Sequence, residues 1–133
     1  DLAAKLVEES YFGEKLIQMN VDIKEWGERK SLEIASALSK YGKIEAKAFP
    51  GRSAIPVKML GLNELHISKV YEKPGSLKIG FKVPGTQIPI VSDDEMGDLS
   101  EVKCLLNLAW HIAPEIEKYL REKGFKGELI NII

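Results

Sequence analysis

A chain of 133 residues with 44% apolar and 29% charged side chains has the size and composition of a single folded domain. Nineteen basic against twenty acidic side chains leave a formal net charge of -1, so no whole-molecule field gathers nucleic acid or an anionic membrane. The apolar runs are far shorter than the roughly 20 residues that cross a bilayer, and no signal-like start is present, so the expectation is a cytoplasmic protein without a membrane partner.

The lone Cys104 permits no internal disulfide and supports neither a zinc knuckle nor a redox pair. The charged set is mostly Lys and Glu, at 16 and 15, with three Arg. That bias resembles the ion-pair-rich composition of hyperthermophile proteins.

Leu2, Leu6 and Val7 share one face of a short helix that Gly13 is expected to end. The run "LIQMNVDIK" then alternates, with Ile17, Met19, Val21 and Ile23 opposed to Gln18, Asn20, Asp22 and Lys24, and this predicts a half-buried strand. Helical spacing returns in "ERKSLEIASALSKYG", where Leu32, Ala35 and Leu38 form a stripe and Gly42 holds the stop position. A strand, "KIEAKAF", follows.

Between residues 64 and 91, "EKPGSL" and "VPGTQI" each place Pro-Gly between apolar runs, as type II turns require. The pattern predicts a three-stranded meander with Leu77, Ile79, Phe81 and Val83 of its middle strand facing the core. Pro89 cannot donate to a ladder, so the third strand is expected at an edge or with that position pointing outward. From Asp98 the spacing of Val102, Leu105, Ala109, Ile112, Ile116 and Leu120 predicts a long helix, capped by Asp98 with Glu101 and either kinked or restarted at Pro114. The run "ELINII" is a candidate last strand.

This order predicts an α+β two-layer sandwich: a mixed sheet of five or six strands with helices on one face, ferredoxin-like with an inserted hairpin if the last strand forms.

Four groups of residues are chemically suggestive. In "FPGRSAIP", Gly51 could turn backbone N–H groups toward an anion, Arg52 could grip it, Ser53 could add a hydroxyl while capping a short helix, and Lys58 with Lys47 adds like charge. The loop matches neither the P-loop nor the dinucleotide fingerprint, and Pro-Gly with polar neighbours is also an ordinary corner. The acidic run Asp93, Asp94, Glu95 and Asp98 lacks EF-hand spacing, so capping is preferred to metal binding and no metal or cofactor is expected. Cys104 and His111 on one helix would stand about 10 Å apart, too far for a nucleophile and its base. Trp26 and Trp110 are isolated aromatics, and Lys78 and Lys82 lack the stacking partners of a nucleic-acid surface, so nucleic acid is not expected.

The reading that follows is a non-catalytic binding or assembly module, forming a homodimer through Leu106 and Trp110 on the long helix. The alternative is an enzyme acting on a small anionic metabolite, with Arg52 and Ser53 on the anion and His66 as acid or base. Whether any catalysis occurs is left open by the residues.

Overall fold

The computed structural model describes residues 2–133, without the side chains of residues 6, 9, 11, 12 and 16; Leu6, part of the first predicted stripe, is therefore outside the described side chains. Its elements in order are α1 (Leu2–Tyr41), β1 (Ile44–Lys47), α2 (Ala54–Met59), β2 (Ile67–Glu72), β3 (Ile90–Ser92), β4 (Cys104–Asn107), α3 (Ala113–Glu122) and β5 (Glu128–Asn131).

The five strands form one sheet in the order β3-β2-β1-β4-β5, and every pairing is parallel. This overturns the mixed, ferredoxin-like sheet: the architecture is of the α/β kind, with helices on both faces. Alternate strand residues show why. Ala46, Val70, Ile90, Leu106 and Ile130 pack with Ile34 and Ala37 of α1 and Val57 of α2. Tyr71, Leu105 and Leu129 turn the other way, onto Ile116 and Leu120 of α3. Two apolar faces need two covering layers.

The largest correction lies in α1, a single helix of 40 residues, about 60 Å long. Gly13 does not end it, and "LIQMNVDIK" is helical throughout, so its alternation buries nothing: Ile17 remains 66% exposed and Ile23 41%. The local supports are those of a helix, including the Gln18 amide donating to Asp22 at i+4, 2.9 Å away. Trp26 is the first described residue of α1 to pack on the core, and Lys30 the first to be buried. Gly42 stops the helix as expected, with φ 77° and its N–H bonded to the Leu38 carbonyl.

The meander is also overturned. Both Pro-Gly turns form, closed by Ser76 N–H to Lys73 O and Thr86 N–H to Val83 O, with positive φ at Gly75 and Gly85. Between them no middle strand exists: Leu77 and Phe81 are exposed, and a single bridge links Lys82 to Pro89. The third run yields the short β3, which does lie at the sheet edge just after Pro89.

The predicted long helix from Asp98 is instead loop, strand and helix. β4 is buried at all four positions, as a central parallel strand covered on both faces must be. Asp98 caps no helix; its carboxylate accepts the backbone N–H and hydroxyl of Ser100. Those bonds, first the backbone one, hold the exposed Asp98 carboxyl below its ordinary pKa. The helix restarts at Pro114, in the first turn of α3. β5 forms as expected, and Gly127 before it admits no Cβ, which would stand 2.3 Å from the Lys103 carbonyl. No helix among the described residues is long and apolar enough to cross a membrane.

Candidate functional site

Chain order reverses between β1 and β4: from β1 the chain adds β2 and β3 on one side, then returns to add β4 and β5 on the other. In open parallel sheets, a crevice opens outside the carboxyl ends of the strands at such a switch point, because the loops there leave toward opposite faces. Every strand ends in a polar residue at this edge: Lys47, Glu72, Ser92, Asn107 and Asn131. Register aligns them, with Lys47 opposite Asn107, Asn107 opposite Asn131, and Glu72 opposite Ser92.

On the α3 face of this edge lies a crevice of about 380 Å³. Its polar wall starts with Lys47, whose Nζ lies 2.7 Å from both oxygens of Asp93. Both side chains are buried, and the Tyr119 hydroxyl donates to Asp93 at 3.0 Å. Burying such a pair is tolerated when each group is met by its partner and by further hydrogen bonds, as the Tyr119 hydroxyl provides here. Burial, followed by the bond to Asp93, pushes the Tyr119 phenol up to about 12. Glu72 faces the same crevice and accepts the Phe49 N–H. Ala48, between them, has φ 67°, a left-handed conformation that costs a non-glycine residue energy and that surrounding structure must enforce. Its N–H is held by the Tyr71 carbonyl at 2.7 Å.

The opposite face carries a second hollow, an apolar cleft of about 490 Å³ between α1, α2 and the turn after β4. The loop after β1 separates the two.

The "FPGRSAIP" loop therefore sits at the switch point, yet its residues diverge. Gly51–Ser53 make one turn of 3-10 helix after β1. Ser53 is fully buried and offers its hydroxyl to no anion: it donates to the Leu108 carbonyl at 2.6 Å, joining the loops of β1 and β4. It does not cap α2 either, since no side-chain cap bond forms. Arg52 lines the apolar cleft, whereas Lys58 is exposed on α2 outside its lining. His66 precedes β2 at the amino edge, across the sheet from Arg52, with Nδ1 accepting the Asn63 N–H. Leu106 is 0% exposed inside β4, where it fills this chain's own core and offers no surface to a second copy. Trp110 is half-buried against the core and lines the cleft.

Cys104 is buried at the start of β4, and its thiol is pushed up to about 11, first by burial and then by Glu128 and Glu33. His111 lies beyond the far end of that strand. The acidic run serves structure in part: Asp93 is spent on Lys47, and Ser92 accepts the Asp94 N–H at the 3-10 turn. Among the described residues no group of three or more His, Cys, Asp or Glu could hold a metal ion.

Sequence reading missed Glu72, Asp93 and Tyr119 as one wall. The available signal was the polar residue ending each apolar run, which marks a carboxyl edge once the runs are known to be parallel. Asn107 belongs to that edge as well: its amide donates to Asn131 at 2.9 Å and its carbonyl accepts the Ala109 N–H, so it shapes the loop after β4.

Residues 14–133 match the family described as "C-methyltransferase C-terminal domain". No curated protein and no solved structure matches the chain. With nearly its whole length covered by that match, the chain belongs to the family of C-methyltransferase C-terminal domains.

Proposed function

We propose that this domain holds the methyl acceptor of a C-methyltransferase, in the crevice on the α3 face of the carboxyl edge, and performs no methyl transfer of its own. The observation that carries this reading is the convergence of Lys47, Asp93, Tyr119 and Glu72 on one crevice at the switch point. The family description supplies the reaction class. Methylation at carbon needs a carbon nucleophile, which most simply is a carbon beside a carbonyl whose C–H can be removed. The acceptor class is therefore a small carbonyl compound with polar substituents. Lys47 directs two contacts at Asp93, and an ammonium has three N–H donors, so one is left for an acceptor oxygen. Ile112 and Ile116 supply an apolar floor beside it.

The methyl donor is assigned no place in this domain. A nucleoside-bearing donor on an open α/β sheet calls for a glycine-rich turn after β1 and an acidic side chain free to meet a ribose. Here the turn reads Ala48-Phe49-Pro50-Gly51, with one glycine and a proline where the glycine-rich spacing would stand. That turn does not fit such a donor.

The test is Tyr119→Phe in the enzyme of which this domain forms part. Removing one hydroxyl should raise the acceptor KM severalfold, about the worth of one hydrogen bond, with the donor KM unchanged. A shift confined to the donor KM would sink the reading.

A further inference from the structure

The apolar cleft on the α1 and α2 face is separate from the crevice assigned to the acceptor. Trp26 and Trp110 line it, with Ile55, Pro56 and Met59 of α2 among its apolar surfaces. Trp26 is fixed in place because its Nε1–H donates to the Ile132 carbonyl at 2.9 Å. A hollow of about 490 Å³ is the size that takes a small organic molecule.

Two cations, Arg29 of α1 and Arg52 of the loop after β1, line the same cleft and are exposed. Neither guanidinium has a hydrogen-bond or ion-pair partner among the described residues. Asp22, the one acidic side chain of the lining among the described residues, accepts from the Gln18 amide, so the lining sets two cations against one acidic side chain. The cleft therefore combines aromatic walls with a net positive rim. A guanidinium offers a planar fork of donors that fits a carboxylate or phosphate, and indole faces favour flat rings. Self-pairing across a two-fold axis would place like charges from two such rims near each other, which opposes this cleft as the centre of a homodimer.

From this combination we propose that the cleft is a binding site for a flat aromatic anion, its ring beside Trp26 and Trp110 and its charged group on Arg29 and Arg52. The site is independent of the acceptor crevice, and its failure would leave that reading intact.

The chain contains two tryptophans, and both line the cleft, so intrinsic fluorescence reports on it without a label. Titration with 2-naphthyl phosphate should quench this emission saturably. Uncharged 2-naphthol and inorganic phosphate, each supplying half of the recognition, should bind at least tenfold more weakly, an expectation of about one charged hydrogen bond. Arg29→Gln and Arg52→Gln should each weaken the naphthyl phosphate by about tenfold or more on the same basis, with circular dichroism unchanged. Lys58→Gln, a neighbouring cation outside the lining, should leave binding as it was. Equal affinity for naphthol, quenching that rises linearly without saturation, or equal losses in the Lys58 variant would each overturn the proposal. So would a light-scattering mass of a dimer that persists at saturating ligand while Trp110 stays unquenched.

Discussion

The two hollows beside the β1 loop solve opposite problems with the same strand. On the α3 face, the carboxyl end of β1 presents Lys47, and the surrounding groups exist to keep one buried charge satisfied: Asp93 at 2.7 Å and Tyr119 behind it. Across the sheet, the loop leaving β1 presents Arg52, which has no hydrogen-bond or ion-pair partner among the described residues, beside two indoles. A buried cation is a fixed part of the fold, whereas an exposed cation over an apolar floor is available to something outside it. The polar side is thus tied to stability, and the apolar side is nearly free of it.

That contrast has its largest expected effect at Lys47. Lys47→Met should destabilise the protein by about 3–5 kcal/mol, because it leaves the Asp93 carboxylate buried without a counter-charge. The double change Lys47→Met with Asp93→Leu should recover most of that loss, since an apolar pair of similar volume replaces the ion pair. Chemical denaturation of the three proteins checks this. If the double variant is no better than the single one, the pair does more than balance charge.

Ser53 joins the two sides, and the effect there should be intermediate. Ser53→Ala removes the donor to the Leu108 carbonyl and leaves that carbonyl unpaired in a buried position, a cost of about 1–3 kcal/mol. Because the bond ties the β1 loop to the β4 loop, faster hydrogen exchange should appear in both segments. Exchange confined to one of them would show that the loops are not coupled through it.

The sides also differ in what alkali does. Tyr119 on the polar side and Cys104 in the α1-facing core both have acidic protons held above their ordinary values, at about 12 and about 11. Each is neutral when protonated, and the native state retains that proton to higher pH than the unfolded chain. Their contributions are therefore intact at neutral pH and are lost as pH rises, from 9 to about 11 for the thiol and from 10 to about 12 for the phenol. Stability measured from pH 8 upward should fall first through the thiol window, and Cys104→Ser should flatten that first part alone.

How much of this was legible without coordinates follows from where local patterns decide structure. Gly42, the two Pro-Gly turns, Pro89 at an edge and Pro114 at a helix start are fixed by backbone sterics within a few residues, and all stand in the fold. Periodicity failed where burial did not follow it. The alternating residues 17–23 belong to a part of α1 lying beyond the core, so no sheet face sorted them, and helix-forming neighbours prevailed. "CLLN" read as helix because its apolar residues fit a 3.6 spacing, while a strand buried on both faces carries no alternation at all. Misplacing β4 in turn hid the site: with the sheet read as mixed, Glu72, Asp93 and Asn107 had no common edge to share. The sign and type of the loop residues were legible, but their partners, such as Leu108 for Ser53, lie 55 residues away.

The smallest expected change is the most discriminating. Arg52 is exposed and its guanidinium has no partner among the described residues, so Arg52→Gln should alter unfolding free energy by no more than about 0.5 kcal/mol, the range of surface substitutions that break no specific contact. The same substitution should weaken an aromatic anion in the cleft, while Lys47→Met should do the reverse, costing stability yet leaving cleft affinity unchanged in the fraction that remains folded. The two variants thus form a crossed pair: each face of the sheet responds to one substitution and ignores the other. If Arg52→Gln lowered stability by several kcal/mol, the guanidinium would have to hold the β1 loop in place. The cleft would then be a structural seam, and the distinction between the two faces would fall.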